Sequence, residues 1–230
     1  MSVVITDHPR VGAETAQAFA EFDVAMVNEA LGMNGLLSTD IRPIYPGARI
    51  SGPAVTVSVP PGDNWMLYVA LEQCWPGDIL VVSPTGPSES AYVGELLALS
   101  LVQRGVLGVI LDGGCRDVAA LTGMRFPIWA RAITAKGPVR RTLGRVNVPV
   151  ECAGQTVHPG DLVVADDDGV VVVPRTKADE ALPRARAQSD RESYAKQCIS
   201  RGELGLDFMD MREALRAKGL TYHAWQDDAP

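Results

Sequence analysis

The 230 residues are 47% hydrophobic and 21% charged and carry a formal net charge of −7. That is the make-up of a folded chain, not a disordered one, and an acidic balance without a block of Lys or Arg excludes a nucleic-acid footprint. No apolar run approaches the ~18 residues of a membrane span.

In chain order, Val11–Leu31 is predicted to be mostly helical, with Phe19, Phe22, Met26 and Val27 on its apolar side and Gly32 at its end. Asp40–Pro46 holds two prolines and is extended or turning. Ile50–Val59 alternates Val55, Val57 and Val59, as a half-buried strand does. Pro60-Pro61-Gly62-Asp63 stops it, and Trp65–Cys74 resumes as a helix. Pro-Gly-Asp occurs at 76–78 and again at 159–161, each time before a valine-rich strand. A shared turn habit explains both copies, because proline fixes φ and glycine accepts the unusual value.

Gly94–Asp117 is the most informative stretch. Its first part reads as a helix with Leu96, Leu97 and Leu99–Leu101 supplying an apolar surface and Gly105 as the stop. Val106–Leu111 is a buried strand, and Asp112-Gly113-Gly114 is expected to break it. Arg116 and Asp117 then fall past its carboxyl end, where ligands bind in open α/β sheets. An Arg beside an Asp there is either a surface turn with a local salt bridge or an anion clamp next to a hard oxygen ligand.

Further on come a short helix at Val118–Leu121, a strand at Phe126–Trp129, rim strands within Val139–Val150 and a hairpin over Leu162–Val173. Asp166-Asp167-Asp168-Gly169 reads as the hairpin's solvated turn, since Val170–Val173 continue no calcium-loop pattern. Lys177–Ile199 and Asp207–Lys218 are helical and alternate in charge, making 175–230 a charged helical C-terminal region of a chain with no internal linker. Strands at 79–83, 106–111 and 126–129 with helices between them imply parallel βαβ units in one mixed α/β domain spanning 1–230.

The first-turn amides of Leu96 and Leu97 suit a substrate carboxylate, and Glu95 adds an acid near the same helix end. With Arg116 and Asp117 they compose an anion pocket beside a magnesium- or manganese-type site. No nucleophile elbow or phosphate-loop spacing is present. None of the four lysines lies in a predicted apolar strand, so a Schiff-base route has little support. Trp65, Trp75 and Trp129 are expected in core or interface. Cys115 is expected as a buried filler, and the three histidines at the surface. Cys74, Cys115, Cys152 and Cys198 stand apart without CxxC, against structural zinc and for a reducing compartment. The opening MSVVITDHPR lacks the long apolar core of a secretory signal, so a cytoplasmic location is expected.

From Phe22 almost to the end, the chain resembles the class II, metal-dependent 4-hydroxy-4-methyl-2-oxoglutarate / 4-carboxy-4-hydroxy-2-oxoadipate aldolases. These belong to the superfamily that includes the regulator of ribonuclease activity A. The likeness is carried by RPIYPG (42–47), PPGDNWM (60–66), VGELLA (93–98), LDGGCRD (111–117), FPIWARAITAKG (126–137), ADDDGVVVVP (165–174) and GLDFMDMREAL (205–215). DGxxRD marks only the superfamily, whereas PGDNW and the FPxWxxxIxxKG run are more specific.

The resemblance implies a swivelling β/β/α fold and a retro-aldol cleavage that releases pyruvate, with Mg²⁺ or Mn²⁺ as cofactor. It implies that Asp117 holds the metal directly and that Glu95 and Glu192, the latter from a neighbouring subunit, act on it through water. Arg116 would bind the pyruvyl end and stabilise the enolate, and the Leu96 and Leu97 amides would take the carboxylate. Self-association as a trimer or hexamer with a shared active site goes with it, as does oxaloacetate decarboxylation as a side activity. Two departures stand out: Glu95 occupies a position more familiar as aspartate, and Asn28 one that often holds His or Gln. Asp63 and Asn64 are either turn formers or pocket residues, and the resemblance favours the pocket. For the substrate's further carboxylate the candidates are Arg42, Arg125, Arg131 and Lys136, with Arg131 and Lys136 preferred. The competing class is a non-catalytic regulator that binds and inhibits an endoribonuclease.

Overall fold

The computed structural model describes residues 2–225, which form two compact units, one reaching Arg186 and one starting at Ala187. The first unit opens with β1 (Val3–Val4), α1 (Ala13–Phe19), α2 (Val24–Ala30), β2 (Arg42–Pro43), β3 (Ile50–Val59) and α3 (Trp65–Leu71). Its middle is β4 (Ile79–Pro84), β5 (Ala91–Val93), α4 (Glu95–Gln103), β6 (Gly108–Cys115), α5 (Val118–Gly123) and β7 (Ile128–Ile133). Then come β8 (Arg145–Val146), β9 (Val150–Cys152), β10 (Gln155–Val157), β11 (Leu162–Asp166) and β12 (Gly169–Val173). The unit boundary falls within α6 (Ala178–Ser200), after which α7 (Gly205–Phe208) and α8 (Met211–Ala217) follow.

The fold is mixed α/β. Strands β3, β4, β6 and β7 lie side by side in parallel, and α3, α4 and α5 cross between them. The first half of β3 turns to the antiparallel hairpin β11–β12 instead, with Leu162 opposite Pro53. Side chains alternate across the sheet as strand geometry dictates. Val55, Val57, Leu80, Val82, Val109 and Leu111 meet Leu67, Leu97, Leu101 and Leu121 of the three helices. Ala54, Ile79, Val81, Ile110 and Trp129 face the other way, onto Val150, Cys152 and Val157 of β9 and β10. A third cluster packs α1, α2 and the start of α6 on the hairpin. With both faces covered, β3 is buried nearly throughout rather than half-buried.

Three boundaries differ from the sequence reading. The helix expected over Val11–Leu31 is two, parted at Ala20–Asp23, where the Phe22 N–H turns back to the Phe19 carbonyl and packs both rings in the core. The helix expected over Asp207–Lys218 is also two, separated by Asp210 at φ +52°. Most consequential, Asp112-Gly113-Gly114 does not end the strand: β6 continues to Cys115, paired with β5 and β7. The glycines permit it because a Cβ on Gly113 would lie 2.9 Å from the Tyr92 ring, and one on Gly114 2.9 Å from the Ser90 carbonyl oxygen.

The Pro-Gly-Asp turns at 76–78 and 159–161 are one device used twice. Gly77 and Gly160 both have positive φ, and the buried aspartates Asp78 and Asp161 accept the N–H groups of Trp75 and His158, three residues back. Asp166 and Asp167 of the hairpin turn likewise serve backbone: they accept the N–H groups of Val24 and Gly47. No helix among the described residues is long and apolar enough to cross a membrane.

Candidate active site

The site grows from the paired carboxyl ends of β5 and β6. Arg116 donates its N–H to the Val93 carbonyl at 3.0 Å, which draws the chain after β6 against the start of α4. Asp117 then adopts φ +60°, ψ +35°, a left-handed conformation that costs a non-glycine residue roughly 1–3 kcal/mol and is held by its surroundings. The turn aims its carboxylate at α4, where Oδ2 accepts the Glu95 N–H at 3.1 Å and lies 3.5 Å from Arg116 Nε. Its Oδ1 accepts no hydrogen bond among the described residues.

Gly94 makes this possible. A Cβ there would stand 2.5 Å from Asp117 Oδ2 and 3.1 Å from Arg116 Nε. Its φ of −145° is ordinary, so contact alone demands glycine. Beyond it, the Leu96 and Leu97 N–H groups meet no acceptor among the described residues, while Ala98 begins the helical ladder by bonding Gly94. Free amides and a helix N-terminus favour an anion at this spot.

Around these groups is a cleft of about 410 Å³, lined by Asn64, Tyr68, Arg116, Asp117 and Arg140 with residues 94–97. Asn64 is buried; its Nδ2 donates to the Tyr92 carbonyl at 2.9 Å, and its Oδ1 has no partner. Arg140 stacks on the Tyr68 ring at 5.0 Å and donates to its hydroxyl at 3.0 Å.

The structure thus brings together Glu95, Leu96, Leu97, Arg116, Asp117 and Asn64. It does not bring Arg131 or Lys136 to the cleft. Arg131 is held by Asp112 at 2.6 Å and by Asp40 at 2.7 Å, and these bonds, the one to Asp112 foremost, raise its pKa above the usual arginine value. Lys136 reaches Glu89 instead, at 3.5 Å. The cation that sequence reasoning missed is Arg140, seven residues past the end of β7 and marked by no motif. Glu192 lies in the second unit on α6, 3.6 Å from Lys196.

Of the expected core aromatics, Trp129 is fully buried with its Nε1 on the Asp166 carbonyl, whereas Trp65 and Trp75 are exposed. Cys115 is buried, and that burial pushes its thiol up to about 11, as suits a filler and not a nucleophile. His8 is buried, contrary to the surface position expected of it.

No group of three or more His, Cys, Asp or Glu side chains among the described residues is arranged to hold a metal. One aspartate with a free oxygen and a nearby glutamate fit a hard cation that keeps most of its waters, as Mg²⁺ or Mn²⁺ does, and do not fit zinc.

Residues 19–172 match the family described as RraA-like, Aldolase/RraA. A Halalkalibacterium halodurans protein named "Putative 4-hydroxy-4-methyl-2-oxoglutarate aldolase" is 32% identical over 183 residues, 79% of this chain and 87% of its own length. A Pseudomonas syringae protein of known structure superposes with a TM-score of 0.77 at 29% identity, covering 87% of this chain and 94% of that one. Streptomyces coelicolor RraAS2, described as an unusual member of the RNase ES inhibitor RraA family, gives a TM-score of 0.73 at 29% identity, covering 82% of this chain and 98% of that one.

Proposed function

Starting from a chain that belongs to the RraA-like family, we propose that it is a divalent-metal-dependent pyruvate aldolase. Its reaction is the cleavage of 4-carboxy-4-hydroxy-2-oxoadipate to pyruvate and oxaloacetate and of 4-hydroxy-4-methyl-2-oxoglutarate to two pyruvates. The observation that carries this reading is the convergence of Arg116, Asp117 and the unpaired Leu96 and Leu97 amides in one cleft. A regulator that only binds another protein has no need of a strained aspartate set against two free amides.

Asp117, with Glu95 acting through water, would hold the Mg²⁺ or Mn²⁺ ion. Bound there, the ion supplies a Lewis acid for the 2-oxo acid end. The Leu96 and Leu97 amides take the C1 carboxylate. Arg116 offers its fixed charge where the C2 oxygen turns negative. Asn64 lines the cleft beside these groups, and its Oδ1, buried and unpaired, is an acceptor whose unmet hydrogen bond costs roughly 1–3 kcal/mol. A water held against the Glu95 carboxylate takes the C4 hydroxyl proton. The C3–C4 bond then breaks, C4 becomes a carbonyl, and the electron pair passes into the enolate of pyruvate, which is protonated at C3. Oxaloacetate loses CO₂ to reach the same enolate, so decarboxylation is a side activity.

Arg140 takes the place that Arg131 and Lys136 were expected to fill, beside the substrate's further carboxylate. The reading includes self-association as a trimer or hexamer, with Glu192 of a neighbouring copy completing the site. Full activity from a sedimenting species of 24.6 kDa, the mass of one chain, would refute that part.

The test couples pyruvate release to lactate dehydrogenase, with each purified substrate and Mg²⁺ or Mn²⁺. Activity abolished by EDTA and by Asp117→Ala supports the aldolase; full activity in EDTA, or a borohydride-trapped lysine adduct, overturns the mechanism. The RraAS2 likeness supports a second reading, a non-catalytic inhibitor of an endoribonuclease. No turnover across a panel of 2-oxo acids, with inhibition of a purified endoribonuclease, would replace the enzyme by that regulator.

A further inference from the structure

We infer that Asp63 is a positioning residue that sets substrate discrimination by holding Arg140 in the cleft wall; the inference rests on the aldolase reading above. Asp63 is 2% exposed, and no Lys or Arg side chain among the described residues pairs with it. Backbone N–H groups satisfy it instead, from both sides of the cleft's edge. Oδ1 accepts Trp65 N–H at 2.9 Å, at the start of α3. Oδ2 accepts the Arg141 and Thr142 N–H groups, each at 2.7 Å.

These bonds do not act alone. The Val139 N–H donates to the Gly62 carbonyl at 2.8 Å, and the Asn64 N–H donates to the Val139 carbonyl at 3.1 Å. The segment 139–142 is therefore laid along residues 62–64, and Asp63 supplies the side-chain acceptor of the bridge. Arg140 sits inside this span, flanked by bonded neighbours on each side, and its guanidinium lies on Tyr68 of α3. The Asp63 carboxylate thereby ties together the two backbone stretches that carry Asn64, Tyr68 and Arg140. Burial alone would raise the pKa of Asp63, but the N–H groups of Trp65, Arg141 and Thr142 outweigh it and hold it below the usual carboxylate range.

Asp63→Asn keeps the size and loses one acceptor. Its amide NH₂ must face either Trp65 or the Arg141–Thr142 pair, which sets donor against donor. Whichever side it faces, one side of the bridge opens and Arg140 loses its register against Tyr68, while the Arg116–Asp117 end keeps its own bonds. Asp63 touches no substrate in this scheme; it acts through Arg140.

The experiment compares wild type, Asp63→Asn, Arg140→Ala and the double variant on two reactions. One is cleavage of 4-carboxy-4-hydroxy-2-oxoadipate. The other is exchange of pyruvate methyl protons with D₂O, which uses the pyruvyl end alone. Amide hydrogen exchange at Trp65, Arg141 and Thr142 reports the bridge directly, whether or not the protein turns over. Asp63→Asn is expected to raise KM for the tricarboxylate about 10-fold, the scale of one charged contact, with a several-fold smaller effect on pyruvate exchange. In the Arg140→Ala background the same change is expected to add less than about 2-fold, because residues acting as a unit are not additive. Equal losses in both reactions, full additivity with Arg140→Ala, or unchanged amide protection at Trp65, Arg141 and Thr142 alike would overturn the inference while leaving the aldolase reading in place. A wild type that neither cleaves nor exchanges would overturn the aldolase reading and this inference with it.

Discussion

The Glu95 backbone N–H donates to Asp117 Oδ2 at 3.1 Å, joining the first residue of α4 to the residue that caps α5. Two segments 22 residues apart thereby hold one carboxylate in place, and Gly94 is the gap through which it is reached. Gly94→Ala adds a methyl group 2.5 Å from that oxygen. Displacing a reacting group by about 1 Å can cost on the order of 100-fold in rate, and a loss of that order in kcat is expected. The backbone at Gly94 suits alanine, so the far-UV spectrum and Tm should stay near those of wild type. An alanine variant with normal kcat would separate the Asp117 position from catalysis.

Arg116 faces the end common to both substrates. Arg116→Ala is expected to reduce aldol cleavage and oxaloacetate decarboxylation together, by about 100-fold to 1000-fold, the range seen when one donor to a developing oxyanion is removed. Parallel assays on one preparation decide it. Decarboxylation that survived while cleavage vanished would mean that the two reactions do not share an enolate.

The two arginines Arg140 and Arg131 should behave oppositely. Arg140→Ala is expected to lower kcat/KM for the carboxymethyl substrate relative to the methyl one by about 10-fold to 100-fold, through loss of a charge-assisted hydrogen bond. Arg131→Ala should leave that ratio alone. It removes the bonds to Asp112 and Asp40, which are partly exposed and together stabilise the fold by about 1 kcal/mol. Kinetics on both substrates and a thermal melt for each variant separate the two roles. A shifted substrate ratio in Arg131→Ala would reverse the assignment.

The sequence reading passes over Arg140 for a physical reason. Arg131 lies within the FPIWARAITAKG run and Arg140 three residues beyond it, and nothing in residue type or spacing says which cation finds a carboxylate of its own. Asp40 and Asp112 lie 91 and 19 residues from Arg131 in sequence, and only the folded chain brings them to it. The same holds for β6: Asp-Gly-Gly is a local turn signal, overridden here by strand partners on both sides. What was legible is what local chemistry decides. The valine alternation of β3, the helix from Glu95 to Gln103 and the placing of Arg116 and Asp117 past a strand end all follow from periodicity and punctuation. In sequence Asp63 reads as a turn former or a pocket residue, because nothing local shows the Arg141 and Thr142 N–H groups its carboxylate accepts.

His8 gives the stability an acid dependence. Its ring is buried; burial, then the nearby Arg10 and Arg175, lower its pKa from 6.5, while Asp78 and the Ala54 backbone act the other way. Above pH 6.5 neither state is protonated at this site and the folded chain keeps its full stability. As pH falls through 6.5, the unfolded chain takes up a proton that the folded chain resists, so stability declines. Tm is expected to drop between pH 7.5 and about 5.5, and His8→Phe should flatten that decline. An unaltered slope in the variant would locate the acid sensitivity elsewhere.

The Pro-Gly-Asp turns at 76–78 and 159–161 precede β4 and β11, whereas the cleft opens where β5 and β6 end. The sheet thus has a conservative end and an adventurous one. Substitutions at the rim can change which acid is bound, or whether anything is turned over at all, without loosening the buried aspartates that start those two strands. A lineage drifting at that rim keeps its foldability as it explores new chemistry, and divergence in activity should concentrate in residues 64, 94–97, 116–117 and 138–140. Saturation libraries confined to those positions should therefore yield more soluble variants than libraries of equal size at 76–78 and 159–161.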